Sequence, residues 1–115
     1  MKTGTDMIND AKGRIQQVTP QAALQEQSSA VFLDCREPNE FNLGHIPGAV
    51  FIPRGQLEQH IEAHVTRDRR IVIYCASGNR SALGADTLQQ MGYGNVASLA
   101  GGFRGWVEAG GDVED

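Results

Sequence analysis

One cysteine stands where nucleophilic chemistry is expected. Cys75 ends the apolar run 71–74 and opens the loop Cys75-Ala76-Ser77-Gly78-Asn79-Arg80, after which a helical pattern begins. A cysteine at such a junction faces free backbone N–H groups and the positive end of the helix dipole. Arg80 adds a positive charge, and Gly78 allows the amides to converge on the sulfur. These effects lower a cysteine pKa, and a decrease to about 6.5 would raise the thiolate fraction at pH 7 from about 3% to about 75%. The alternative interpretation is a buried, inert cysteine.

Apolar patterns around this loop predict alternating strands and helices. Strands are predicted over 15–18, 31–34, 49–52, 71–74 and 96–99. Helices are predicted over 20–27, 57–65, 80–91 and 103–107, with a short turn or helix that begins at residue 39. The first of them has Thr19 as its expected N-cap and Pro20 at its first helical position. This alternation is typical of an α/β domain with a mostly parallel sheet. Ligands of such domains bind beyond the carboxyl ends of the strands, which is where Cys75 is expected.

Length and composition indicate one globular domain. The chain has 115 residues, of which 40% are hydrophobic and 21% charged, and this balance excludes intrinsic disorder. Two cysteines are too few for a disulfide scaffold or a four-cysteine metal site. We expect a polar, loosely held N-terminal extension over residues 1–13 and a single domain over 14–115.

Charge and hydropathy exclude several kinds of partner. The net charge of −4 argues against nucleic acid and anionic membranes, and no apolar run approaches the roughly 20 residues of a membrane span. The N-terminus lacks the apolar segment of a signal peptide, so a cytoplasmic location is expected. His60 and His64 have a spacing found in metal sites, but their helix face is predicted to be solvated. We therefore expect no metal and no cofactor.

Three segments together resemble the rhodanese-like family. They occur in the family's order and the resemblance covers about residues 14 to 111. The first is Asp34-Cys35-Arg36-Glu37 with Glu40-Phe41 and Gly44-His45-Ile46-Pro47-Gly48-Ala49, the second is Cys75-x-x-Gly78-x-Arg80, and the third is Gly101-Gly102-Phe103-Arg104-Gly105-Trp106. The resemblance implies a three-layer fold with a central five-stranded sheet flanked by helices. It also implies sulfur transfer at Cys75.

The implied mechanism is a double displacement. The Cys75 thiolate would attack the outer sulfur of a small anionic donor such as thiosulfate, and the resulting persulfide would pass its sulfur to cyanide or a thiol. Residues 76–80 would bind the substrate, through loop amides and the Ser77 hydroxyl. Arg80 would either hold the anionic oxygens of the donor or bond neighbouring carbonyls. Related phosphatases resemble Cys-x5-Arg, and the Cys-x4-Arg spacing found here favours sulfur over phosphate.

Two questions stay open at this level. The chain could instead be a sulfur carrier or redox sensor that receives persulfide from a sulfur-relay protein, or a binding module with vestigial activity. Cys35 follows a strand, so it could lie at the same end of the sheet as Cys75. It is either a resolving thiol or a packed apolar side chain, and a disulfide requires Cα atoms within about 7 Å. Asp34 and Arg36 are expected to fix this turn through hydrogen bonds and through a pairing of Arg36 with Glu40.

Overall fold

The computed structural model describes all residues, 1–115, and confirms the α/β architecture. Five strands form one sheet in the order β1-β5-β4-β2-β3, and every pairing is parallel. The strands are β1 Gln16–Val18, β2 Val31–Asp34, β3 Val50–Phe51, β4 Ile71–Tyr74 and β5 Val96–Leu99. Strands β4 and β2 are interior and adjacent, so the chain segments that follow them emerge side by side at the carboxyl edge.

Helices cover both faces of the sheet and make the fold three-layered. They are α1 Gly4–Arg14, α2 Pro20–Leu24, α3 Pro38–Asn42, α4 Leu57–His64, α5 Asn79–Gln90 and α6 Gly102–Glu108, with a 3-10 turn at Arg54–Gln56. Alternate residues of the strands point to opposite faces. One face packs against α4 and α5 through Leu57, Ile61 and Leu88. The other packs against α2 and α6 through Ala23 and Trp106.

Two elements are shorter than the sequence predicts. Helix α2 begins as expected, because the Thr19 side chain accepts a hydrogen bond from the Ala22 amide and Pro20 occupies the first turn. It ends at Leu24 rather than near residue 27. Strand β3 covers two of the four predicted residues, since it is an edge strand that pairs only with β2.

The N-terminal segment is not the loosely held extension expected from its polar composition. Residues Gly4–Arg14 form a helix with a capping box at Thr3. This helix packs on α5, where Ala11 is fully buried. Arg14 forms two hydrogen bonds to the Asp86 carboxylate, at 3.0 and 2.8 Å. A single buried alanine is a weak sequence signal, and an ion pair between residues 72 positions apart in the chain is invisible to local patterns. No helix of the structure combines the length and the apolar character needed to cross a membrane.

Candidate active site

The Cys75 sulfur lies in a cradle of hydrogen-bond donors at the carboxyl end of β4. The Gly78 amide donates to Sγ at 3.1 Å and the Ser81 amide at 3.4 Å. Ser81 Oγ lies 3.5 Å from the same sulfur. Gly78 has a φ of +107°, which turns the chain directly into α5. The loop thus presents amides to the sulfur as the sequence predicted.

Burial and hydrogen bonding act on Cys75 in opposite directions. Removal from water raises the pKa of the thiol, and the hydrogen bonds from the Ser81 hydroxyl, the Ser81 amide and the loop amides lower it. The hydrogen bonds outweigh the burial, so the pKa of Cys75 is lowered from its ordinary value. The site therefore favours a thiolate, which is the nucleophilic form of cysteine.

Ser81 is the site residue that sequence reasoning missed. Its hydroxyl is fully buried, lies 3.5 Å from the Cys75 sulfur and is 2.8 Å from Ser98 Oγ on β5. Ser98 is also fully buried. When Ser98 donates to Ser81, the Ser81 hydroxyl proton is free to point at the sulfur. The available signal was a polar residue inside the apolar strand Val96–Leu99 and a second serine one position beyond Arg80.

The third motif, residues 101–106, is hydrogen-bonded to the backbone of the Cys75 loop. The Phe103 amide donates to the Cys75 carbonyl at 2.7 Å, and the Arg104 amide donates to the Ala76 carbonyl at 3.3 Å. Gly102 makes this contact possible: a Cβ there would lie 2.5 Å from the Cys75 carbonyl oxygen and the Ala76 carbonyl carbon. Its φ of +57° also favours glycine. The third motif therefore fixes the backbone that carries Cys75.

Arg80 is bound to a carboxylate rather than to loop carbonyls. Its guanidinium donates to both Glu40 carboxylate oxygens, at 3.0 and 3.2 Å. The expected pairing of Glu40 with Arg36 is therefore wrong. Arg36 instead donates to both oxygens of Asp34 and to the Gly44 carbonyl, in a buried cluster. The two arginines have separate roles because α3 presents Glu40 to the loop.

The remaining predicted loop residues differ in placement. Ala76 is half-buried and acts through its backbone, while Ser77 is exposed and its hydroxyl has no partner. The hydroxyl at the sulfur is that of Ser81, not the expected Ser77. The Asn79 side chain faces α1, where its Oδ1 accepts a hydrogen bond from Lys12 Nζ at 3.0 Å. Gly78 and Arg80 lie in the loop as described above.

A cleft of about 400 Å³ lies apart from this loop. It is bordered by α1, α5 and Arg54, and none of its lining residues belongs to the Cys75 loop. Its charges are largely paired, since Lys2 binds Asp10 and Arg14 binds Asp86. The cleft therefore has no place in the chemistry at Cys75.

The fold and the loop together define a class of protein. It is a parallel, three-layer α/β domain with a cysteine of lowered pKa at the carboxyl edge of its sheet, the edge at which such domains bind ligands. The chain belongs to the rhodanese-like domain family, whose model matches residues 19–109. Helix α1 precedes the matched region.

Individual relatives agree with this assignment. The chain is 35% identical over 85 residues to the thiosulfate sulfurtransferase GlpE of Tolumonas auensis. The aligned region is 74% of this chain and 79% of GlpE. It is 42% identical over 77 residues to the uncharacterized protein YqhL of Bacillus subtilis, which covers 67% of this chain and 60% of YqhL. A solved structure from Rhodopseudomonas palustris, described as a protein of unknown function and possible tyrosine phosphatase, superposes with a TM-score of 0.90. It is 36% identical, over 99% of this chain and 96% of that one.

Proposed function

We propose that this protein is a sulfurtransferase that carries sulfane sulfur as a persulfide on Cys75. The observation that supports this most directly is the cradle of donors around Sγ, formed by the Gly78 amide, the Ser81 amide and the Ser81 hydroxyl. Such a cradle stabilises a sulfur anion before and after the sulfur is loaded. The resemblance to GlpE, a thiosulfate sulfurtransferase, supports thiosulfate as the donor.

The first half-reaction loads the sulfur. The Cys75 thiolate attacks the outer sulfur of thiosulfate, and a new S–S bond forms while the S–S bond of the donor breaks. Sulfite leaves with the electron pair, and Cys75 becomes a persulfide anion. Arg80 is 38% exposed in its side chain and uses two guanidinium N–H groups on Glu40, so further donors remain for the sulfonate oxygens. The lowered pKa of Cys75 favours the thiolate, so the proposed mechanism assigns no general base.

The second half-reaction empties the site. A thiophilic acceptor, cyanide or a thiolate, attacks the outer sulfur of the persulfide, and Cys75 leaves as a thiolate. The leaving group is the anion that the Gly78 and Ser81 amides already stabilise. The same cradle thus lowers the energy of the nucleophile in one half-reaction and of the leaving group in the other.

The loop supports sulfur transfer over phosphate hydrolysis. Four residues separate Cys75 from Arg80, one fewer than in the cysteine phosphatases of related fold. We therefore expect no hydrolysis of p-nitrophenyl phosphate by this protein, in contrast to the activity suggested for the Rhodopseudomonas palustris relative.

Intact-mass spectrometry tests the proposal. The reduced protein is incubated with thiosulfate and freed of excess donor, and its intact mass is recorded before and after treatment with dithiothreitol. We expect the gain of one sulfur atom, its removal by the reductant, and thiocyanate formation when cyanide is added instead. Cys75→Ser must abolish the gain although Cys35 remains, which makes Cys35 an internal control. A protein that gains sulfur only from a protein persulfide, and not from thiosulfate or polysulfide, would be a sulfur carrier rather than this enzyme.

A further inference from the structure

The two cysteines occupy facing positions on neighbouring strands. The β2–β4 ladder pairs Asp34 with Tyr74, and the Cys35 amide continues it by donating to the Tyr74 carbonyl at 3.0 Å. In a parallel ladder this bond sets Cys35 directly beside Cys75. Neighbouring strands are about 4.8 Å apart. That spacing lies within the range of about 4.4–6.8 Å that a disulfide requires between Cα atoms.

Both thiols also point to the same side of the sheet. Cys35 and Cys75 belong to one buried cluster with Leu33 and Ile73, the residues two positions earlier on each strand. Each of the two cysteines is 1% exposed.

We propose that Cys35 is the resolving thiol of Cys75 and forms an intrachain disulfide with it after a hydroperoxide has oxidised Cys75. The inference rests on the thiolate reactivity of Cys75 given under the proposed function. It adds to that function a modification site and a second chemical role for this strand pair.

The reaction balances in two steps. The Cys75 thiolate attacks one oxygen of hydrogen peroxide, the O–O bond breaks, and Cys75 becomes a sulfenic acid while hydroxide leaves and takes up a proton to form water. The Cys35 sulfur then attacks the Cys75 sulfur, the S–O bond breaks, and a second water leaves with the Cys35 proton. The peroxide is reduced by two electrons and the two thiols are oxidised to one disulfide. An external dithiol restores both thiols by exchange.

The surroundings of Cys35 keep it inactive until Cys75 has reacted. Burial raises the pKa of the Cys35 thiol, and the negative charges of Cys75 and Asp34 raise it further, against the opposing charges of Arg80 and Arg54. During sulfur transfer the Cys75 anion thus helps to hold its neighbour as a thiol. A sulfenic acid at Cys75 is neutral, so this part of the penalty disappears at the moment when a resolving thiol is needed.

The disulfide would protect the reactive cysteine. A sulfenic acid without a thiol partner proceeds to sulfinic acid, which ordinary reductants do not reverse. The disulfide stops this sequence at a stage from which dithiols recover the enzyme. It also blocks sulfur loading, because the Cys75 sulfur is no longer available.

The test compares the wild type with Cys35→Ala and Cys35→Ser. All three are first reduced, freed of reductant and loaded with thiosulfate under anaerobic conditions, which measures the proposed function separately. Fresh samples of the fully reduced proteins, freed of reductant, are then treated with a severalfold excess of hydrogen peroxide, enough to carry an unprotected cysteine to the sulfinic acid. Intact mass and thiol alkylation after unfolding are recorded. We expect the wild type to lose two hydrogens, to lose both alkylatable thiols and to regain its full activity with dithiothreitol. Both variants should gain oxygen and lose activity irreversibly.

Several results would overturn the inference. These are a wild type that gains oxygen while Cys35 stays alkylatable, a disulfide that joins two chains, and equal recovery of wild type and variants. Thermal unfolding of the reduced variants shows whether they fold. If neither variant folds, the mass and the alkylation of the oxidised wild type still show whether the disulfide forms. A wild type that forms the disulfide but gains no sulfur from any donor would support this inference and contradict the proposed function.

Discussion

The Arg80 guanidinium forms a bidentate ion pair with the Glu40 carboxylate, with Nη1–Oε1 and Nη2–Oε2 distances of 3.0 and 3.2 Å. This pair joins the first motif, on α3, to the loop that carries Cys75. The hydrogen bond from Arg80 and its charge hold the pKa of Glu40 below its usual range, although partial burial opposes them. The pair therefore stays ionised at neutral pH and fixes the direction of the arginine at the mouth of the loop.

The first prediction concerns Arg80. We expect Arg80→Ala to lower kcat/KM for thiosulfate by about 10- to 150-fold, because a hydrogen bond to a charged group contributes about 1.5–3 kcal/mol. The loss with polysulfide, which has no sulfonate oxygens, should be smaller. Glu40→Gln keeps an acceptor for Arg80 and should lose less than Arg80→Ala with either donor. Steady-state kinetics with both donors measures this, and equal losses in Arg80→Ala would mean that the arginine only shapes the loop.

The second prediction concerns pH and Ser81. The lowered pKa of Cys75 means that sulfur loading is fastest above that pKa and declines as the pH falls through it. Ser81→Ala removes the hydroxyl that stabilises the thiolate, so the midpoint should move to higher pH. At pH values below the midpoint we expect about a tenfold slower rate, from a hydrogen bond of about 1.5 kcal/mol. Single-turnover loading across pH measures it, with Ser29→Ala as a control on the exposed surface, and an unmoved midpoint would exclude the role assigned to Ser81.

The third prediction compares two adjacent glycines. Both Gly101 and Gly102 have positive φ, at 76° and 57°, but a Cβ on Gly101 meets its nearest atom at 3.7 Å whereas one on Gly102 comes within 2.5 Å of the loop backbone. Gly101→Ala should cost about 1–2 kcal/mol of backbone strain. Gly102→Ala should exceed the roughly 3 kcal/mol of ordinary substitutions and abolish sulfur loading. Urea unfolding and the loading assay test this pair, and similar costs at both positions would contradict the account of the third motif.

The fourth prediction concerns the buried ion pair of Asp34 and Arg36. The Arg36 guanidinium is 4.3 Å from the ring centre of Phe103 and hydrogen-bonded to a fully buried carboxylate. Arg36→Met would leave Asp34 charged and unpaired, so we expect the free energy of unfolding to fall by about 3–5 kcal/mol. Arg69→Met, on the exposed surface, is the matched control and should change stability by less than about 0.5 kcal/mol. A loss in Arg36→Met no larger than in the control would rule out a stabilising role for the pair.

Much of the fold is readable from local patterns. The buried strand Ile71–Tyr74 is a continuous apolar run. Thr19-Pro20 is a helix start because the Thr19 side chain accepts a hydrogen bond from the Ala22 amide, and proline, which has no N–H, fits the first helical turn. The patterns fail where a segment is held by distant contacts. Helix α1 is polar, and it is placed by Ala11 and by the Arg14–Asp86 pair rather than by an apolar stripe.

The sequence by itself determined the class of fold and the place of Cys75 between strand β4 and helix α5. A cysteine between a strand and a glycine-containing helix start must face free amides, whatever surrounds it, because the backbone geometry is local. Only the tertiary structure decided which side chains complete the site. Ser81 meets Ser98, Arg80 meets Glu40, and Cys35 lies beside Cys75, because the sheet order β5-β4-β2 brings together segments that are far apart in the chain. The two cysteines are thus neighbours in one buried cluster, and the sheet register defines that relationship.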